Sequence, residues 1–378
     1  MSDDLSVFRE PHAKEAVQDL RELLSQTRVA FMLGAGCSFD AGLPLMQELT
    51  TEVMDHGGLR DATKHILVSL EDLYSGATRP TIEDYMSDLV DYSSVADRRS
   101  DRGAQGTSVE IGARDLSPTD LSTALAEIKL AVSKVIDGRD LSLSNHQKFV
   151  RSVHLSLEAG KTTRTVDYFV LNYDTLLEDA LGIEKIPYTD GFAGTVTGWW
   201  QPSTFEDSGI SARVLKIHGS IDWCLLKGDS LPRRIRKGLK IDSEQTAVLI
   251  YPASPKFQEV QKDPFAQLLA NMRRSLRPTE REQAVLCICG YSFQDSHINL
   301  EIENALYESD GRLTVLAFID DDELTGALGG WADDAVLSSQ IRIYTSERLV
   351  LQGATSKFET SLPWWKFEVL ARLLGGER

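Results

Sequence analysis

The sequence predicts an α/β fold: a Rossmann-like, doubly wound parallel sheet carrying a helical insertion. Three observations lead there. First, short and nearly continuous apolar runs alternate with helical patterns through the second half, as in Val166-Asp-Tyr-Phe-Val-Leu171 and Ala284-Val-Leu-Cys-Ile-Cys289. Strands covered on both faces of a parallel sheet read this way. Second, the apolar run Val29 to Leu33 stops at Gly34-Ala35-Gly36, a strand feeding a tight glycine turn. Third, residues 46 to 160 carry helical periodicity without strand patterns, which suits an insertion between two strands.

In chain order, Glu10 to Gln26 reads as a helix, with Ala13, Val17, Leu20 and Leu24 on one face. The strand and glycine loop follow. Ser38 and Asp40 offer cap-type side chains, and a helical pattern runs from Pro44 to about Leu73, broken at Gly57-Gly58. Thr81 is a plausible N-cap for a helix through Tyr85, Met86 and Leu89. Ser93 to Thr119 is polar, charged and weakly periodic, and is expected to be a mobile or disordered connector. Helices resume at Ser117-Pro118 and at Asn145 to Leu157. Beyond them, strands are expected at Val166 to Leu171, Val214 to Ile217, Ala247 to Ile250, Ala284 to Cys289, Leu313 to Ile319 and Ile341 to Tyr344. Helices are expected at Thr175 to Leu181, Pro264 to Leu276 and Asp295 to Tyr307, with a terminal helix at about 361–375 around Trp364 and Trp365. The sheet core is then about 27–45 plus 161–350, in one domain.

Charge and cysteine content narrow the function. A formal net charge of −17 over 378 residues argues against a broad nucleic-acid surface. The one basic run, Lys227 to Lys240 with Arg233, Arg234, Arg236 and Lys237, reads as a solvated loop and is the only stretch suited to a polyanion. Four cysteines without a C-x-x-C pair suggest neither a structural zinc site nor a disulfide framework. Cys287 and Cys289 fall on one face of a buried strand, while Cys37 sits in the glycine loop. No apolar run is long enough to span a membrane, and the acidic, polar start Met1-Ser-Asp-Asp-Leu5 is unlike a secretory signal, so the expected location is cytoplasmic.

In a parallel sheet, ligands bind at the carboxyl ends of the strands. The polar residues that follow each strand should therefore gather. They are Asn172-Tyr-Asp174, His218-Gly-Ser220, Gly290-Tyr-Ser292 and Asp320-Asp321, beside Gly34 to Ser38. Gly34 lets the turn close, and Gly36 lets backbone amides approach a pyrophosphate.

Gly34-Ala35-Gly36-x-Ser38, Gly42-x-Pro44, Asn172-Tyr-Asp174, His218-Gly219 and Gly290-Tyr-Ser292 occur in the order seen in sirtuins, and the chain resembles that superfamily. The longer forms Asn172 to Glu178, Ile217 to Trp223 and Gly290 to Asn299 are closer to the sirtuin-like proteins of prokaryotic antiphage defence, which hydrolyse NAD+. The insertion and terminal helix lie outside the likeness. The resemblance implies an NAD+ hydrolase with Asn172, Asp174 and His218 as catalytic residues. Asn172 would bond a ribose hydroxyl or the attacking water, and Asp174 would supply negative charge or hold the nicotinamide amide. His218 would contact ribose hydroxyls and act as a base. Gly34, Ala35, Gly36, Ser38, Gly42, Pro44, Gly290 and Ser292 would bind the pyrophosphate and adenosine side, and Asp320 the adenine-side ribose. It also implies a homo-oligomer, a HerA-type ring ATPase partner encoded elsewhere, and no zinc. The four-cysteine zinc module of protein deacylases is absent, and Leu45-Met46-Gln47 stands where they carry an aromatic–arginine pair. An NAD+- or ADP-ribose-binding sensor without turnover and an NAD-dependent deacylase remain as alternatives.

Overall fold

The computed structural model describes residues 5–26, 28–76, 79–156, 165–226, 228–236, 239, 245–250, 263–320 and 323–377. The chain begins with α1 (Pro11–Gln26), β1 (Arg28–Leu33) and a single turn, α2 (Gly36–Phe39). The insertion follows: α3 (Met46–Met54), α4 (Asp61–Glu71), α5 (Ile82–Asp101), the hairpin β2 (Val109–Ile111) and β3 (Arg114–Leu116), then α6 (Pro118–Asp137). Next come α7 (Ser144–Arg151), β4 (Val166–Val170), α8 (Leu176–Ile183), β5 (Tyr188–Thr189), β6 (Phe192–Gly194) and β7 (Gly198–Trp200). After these lie β8 (Ala212–Lys216), β9 (Gly219–Leu226), β10 (Arg233–Arg234) and β11 (Gln245–Ile250). The remainder is α9 (Phe265–Leu276), β12 (Ala284–Cys289), α10 (Ser296–Glu308), β13 (Leu313–Phe318), α11 (Gly326–Asp333), β14 (Ile341–Tyr344), β15 (Arg348–Leu351), β16 (Ala354–Lys357) and α12 (Phe367–Leu374).

Nine strands form the main sheet in the order β16-β15-β14-β13-β12-β1-β4-β8-β5. All pairs from β14 to β5 are parallel, and only β15 and β16 pair antiparallel. The predicted doubly wound fold is therefore present. Strand alternation sorts its side chains. Phe31, Tyr168 and Val170 join α1, α7, α8 and α12 in one core, while Met32, Phe169 and Leu215 join α9, α10 and α11 in the other. Cys287 and Cys289 share the first of these faces. A third core belongs to the insertion, where Leu49, Leu67, Tyr85, Leu89 and Ile128 pack together with Tyr173 and Leu176. No helix among the described residues is long and apolar enough to cross a membrane.

Four expectations need correction. Ser93 to Thr119 is not a structureless connector: α5 continues to Asp101, and Val109, Ile111 and Leu116 of the hairpin are buried against the insertion's helices. Sparse apolar residues at hairpin spacing hid this in a polar stretch. Ala247 to Ile250 does not enter the parallel sheet; β11 pairs antiparallel with β9 in a second, five-stranded sheet, β11-β9-β10-β7-β6. The terminal helix starts at Phe367, after the tryptophan pair, and Trp364 is instead wedged in the core with its Nε1 donating to the Thr345 carbonyl at 2.7 Å. The helix expected to reach Leu157 ends at Arg151 and gives way to a π-turn over Ser152–Ser156, with Leu157 itself outside the described residues.

Candidate active site

From β1 the chain steps outward to β4 and β8, and later returns to the opposite side with β12 and β13. The order therefore reverses at β1 and β12, the place where such sheets bind ligands. Two glycine turns meet there. The Gly34 amide donates to the Cys289 carbonyl and the Gly36 amide to the Gly290 carbonyl, each at 3.0 Å. A Cβ on Gly34 would stand 2.3 Å from the Gly290 oxygen, and one on Gly290 (φ +67°) would stand 2.5 Å from the Cys37 nitrogen. The glycines serve this backbone-to-backbone contact first. Cys37 and Ser38 also donate their amides, to the carbonyls of Gly34 and Ala35. The expected open cradle of amides is thus corrected: the amides of Gly34, Gly36, Cys37 and Ser38 are already bonded, and the loop is fastened to its neighbour. Burial pushes the Cys37 thiol well above its usual range, and its Sγ lies 3.2 Å from the Cys289 carbonyl, so this thiol is held neutral.

Ser38 does not cap a helix. Its hydroxyl donates to Asp174 Oδ2 at 2.8 Å and accepts from Asn172 Nδ2 at 2.9 Å. Asp174 Oδ1 accepts the Leu176 amide at 3.0 Å, at the start of α8. Asn172 is consequently fixed by its nitrogen, and its Oδ1 is buried with no hydrogen-bond partner. Beneath this loop lies Lys216 of β8, fully buried, whose Nζ donates to the Asp174 carbonyl and stands 3.6 Å from Glu178 Oε1. Burial raises the Glu178 carboxyl to about 7 despite that lysine. Lys216 was not among the predicted site residues; a lysine inside the apolar run Val214-Leu-Lys-Ile217 was the available signal.

His218 follows β8. Its Nε2 is 2.9 Å from Asp295 Oδ2, while Asp295 Oδ1 caps α10 by accepting the His297 and Ile298 amides. Burial lowers the imidazole pKa, but the Asp295 hydrogen bond and charge, Glu83 and a backbone bond at Leu171 outweigh it, and the net shift is upward. Nε2 is thus committed to Asp295 rather than open to a substrate. Tyr291 braces the same loop, its hydroxyl 3.1 Å from the Asp295 carbonyl and 3.0 Å from Asn299 Oδ1. Glu83, from α5, accepts a hydrogen bond from the Tyr173 hydroxyl. Asp295 reads from sequence as a cap alone, and Glu83 as an ordinary first-turn acid; nothing local distinguishes either.

The structure thus brings together Gly34, Ala35, Gly36, Ser38, Asn172, Asp174, His218 and Gly290. The other predicted residues sit apart from this network. Gly42 and Pro44 are braced by the insertion, with Arg139 Nη1 donating to the Gly42 carbonyl at 3.1 Å and Pro44 buried. Ser292 is exposed, and so is Asp320 at the end of β13, whose carbonyl accepts from the Ser346 hydroxyl at 3.0 Å. Asp321 lies outside the described residues, as do Lys227, Lys237 and Lys240 of the basic run. Arg233 and Arg234 pair with Asp229 and Asp190. Among the described residues, no group of three or more His, Cys, Asp and Glu side chains is placed to hold a metal ion.

A family model described as a SIR2-like domain matches residues 167–339. The matched stretch contains Asn172, Asp174, His218 and Gly290 but neither the first glycine loop nor the insertion. It supports a sirtuin-like, NAD-using domain. No curated protein matches the chain.

Proposed function

We propose that this chain hydrolyses NAD+ to ADP-ribose and nicotinamide at the site around Asn172. The observation that carries the reading is Asn172 Oδ1, buried and unpartnered while Ser38 holds the amide nitrogen. A buried acceptor without a donor costs about 1–3 kcal/mol, which a bound hydroxyl or water recovers. The SIR2-like match supplies the ligand class.

The chemistry is consistent with these groups. The C1′–N1 bond breaks with its electron pair leaving on nicotinamide, whose ring charge is thereby discharged. A water oxygen bonds to C1′, and its proton passes to solvent or an acceptor. Positive charge develops on the ribose between these events. Asn172 Oδ1 would accept from the water or a ribose hydroxyl. His218 and Asp295, hydrogen-bonded at 2.9 Å, stand beside these groups. A fixed carboxylate near the ribose would favour the cationic transition state. Asp174, engaged through Ser38 and the Leu176 amide, would position Asn172 rather than touch nicotinamide. The half-buried surface of Ala35 and Gly36 is the natural neighbour of the pyrophosphate.

The finer reading is an effector of prokaryotic antiphage defence, homo-oligomeric and controlled with a HerA-type ring ATPase. It rests on the likeness of Asn172 to Glu178, Ile217 to Trp223 and Gly290 to Asn299 to that branch. The test is nicotinamide release from NAD+ by the purified chain, alone and with such an ATPase. Release with ADP-ribose as co-product is expected. Tight NAD+ binding without release in either condition would overturn the hydrolase reading.

A further inference from the structure

Lys216 is fully buried on β8, and the chemistry above leaves it without a task. A lysine in such a place costs free energy unless it is paired and hydrogen-bonded. Strand alternation puts it on the face of Ala212 and Val214, and the register sets it beside Val170, the last residue of β4. From there the side chain reaches the loop that follows β4. Its Nζ donates to the Asp174 carbonyl and lies 3.6 Å from Glu178 Oε1, one helical turn further along the chain. Asp174 is in turn joined to Asn172 through Ser38, whose hydroxyl donates to Asp174 Oδ2 and accepts from Asn172 Nδ2.

We propose that Lys216 is a positioning residue for Asn172: its Nζ anchors the Asp174 carbonyl, and through Asp174 and Ser38 this fixes the direction in which Asn172 Oδ1 points. The competing role is that of a counter-ion for Glu178 alone, and the geometry disfavours it. The carbonyl receives a direct hydrogen bond, whereas Glu178 Oε1 at 3.6 Å is beyond hydrogen-bond reach and Glu178 Oε2 is buried with no hydrogen-bond partner. The Tyr173 carbonyl is held separately, by the Ile221 amide at 3.0 Å and the Ser220 hydroxyl at 3.3 Å. Loss of the lysine therefore frees the Asp174 end of the loop without releasing the whole of it. In its kinetic consequence this inference rests on the hydrolase reading; in its positional content it does not.

The experiment uses Lys216→Met, which removes the donor and keeps the unbranched stem, and the same change combined with Glu178→Gln. The second variant leaves no buried carboxylate stripped of its lysine, so it guards against a failure of the first to fold. Asn172 is followed by NMR of its side-chain amide in the full chain labelled at asparagine, assigned with Asn172→Ala. Its Nδ2 protons, bonded to Ser38 in the wild type, should exchange with solvent at least about tenfold faster in both variants. Nicotinamide release at saturating NAD+ should fall at least about tenfold, with NAD+ affinity by calorimetry within about threefold of wild type. Exchange and release that return to wild-type values when Glu178→Gln is added would overturn the proposal, because Lys216 would then serve Glu178 alone. A Lys216→Met protein that matches the wild type in both readouts would overturn it too. If the wild type releases no nicotinamide, the hydrolase reading fails and the Asn172 exchange alone judges Lys216.

Discussion

Gly290 fills space that a side chain on Gly34 or Gly36 would need, and a side chain on Gly290 would meet the backbone of Cys37 and Gly36. In the sequence, Gly34 reads as a turn residue and Gly36 as an opening for phosphate; that reading locates the loop but misses its partner. The partner sits on a distant strand, and only the sheet order brings it alongside. Gly290→Ala is predicted to lose about 3 kcal/mol or more of stability in urea denaturation, because the new Cβ meets the Cys37 backbone at a positive φ. Asn172 teaches a similar lesson. Its place after β4 was legible from the motif, but the hydrogen bonds that aim its Oδ1 depend on Ser38 from another loop. The residue was readable; its orientation was not.

At the scale of elements, α5 joins the insertion to the loop after β4 through the Tyr173–Glu83 hydrogen bond. Its start was legible because Thr81 reads as an N-cap, and the structure adds the reciprocal bond with Asp84. Its end was not, since Asp91 to Arg102 places few apolar residues on the buried face, with Ala96 holding the packing. Thr81→Ala is predicted to cost about 1 kcal/mol, read as a lowered denaturation midpoint. The second sheet was largely missed for a related reason. β6, β7 and β10 are two or three residues long, too short for alternation to register. Of the tryptophan pair there, Trp200 is buried beside Phe192 and Trp223, while Trp199 is 47% exposed.

For the whole molecule, the doubly wound parallel sheet was legible from alternating strands and helices, but the strand order was not. Its response to pH follows from buried histidines that composition alone does not flag. Burial lowers His146 and His154 to about 4. The unfolded chain binds more protons than the native one between about 6.5 and 4, so their contribution, present above 6.5, is lost as pH falls through that window. Each amounts to roughly 3 kcal/mol. Glu178 acts in the opposite sense, its contribution present below 4.5 and lost as pH rises through about 7. His146→Phe, packing on Phe367, should flatten the acid limb of stability, measured as the urea midpoint between pH 7 and 4. The central claim is that Asn172 Oδ1 meets the reacting ribose or water, and the most direct measurement compares Asn172→Ala with wild type for NAD+ binding by calorimetry and for nicotinamide release. The account predicts binding within about tenfold of wild type and release reduced at least a hundredfold, as when an interaction made mainly in the transition state is removed. Undiminished release from a folded Asn172→Ala protein would contradict it.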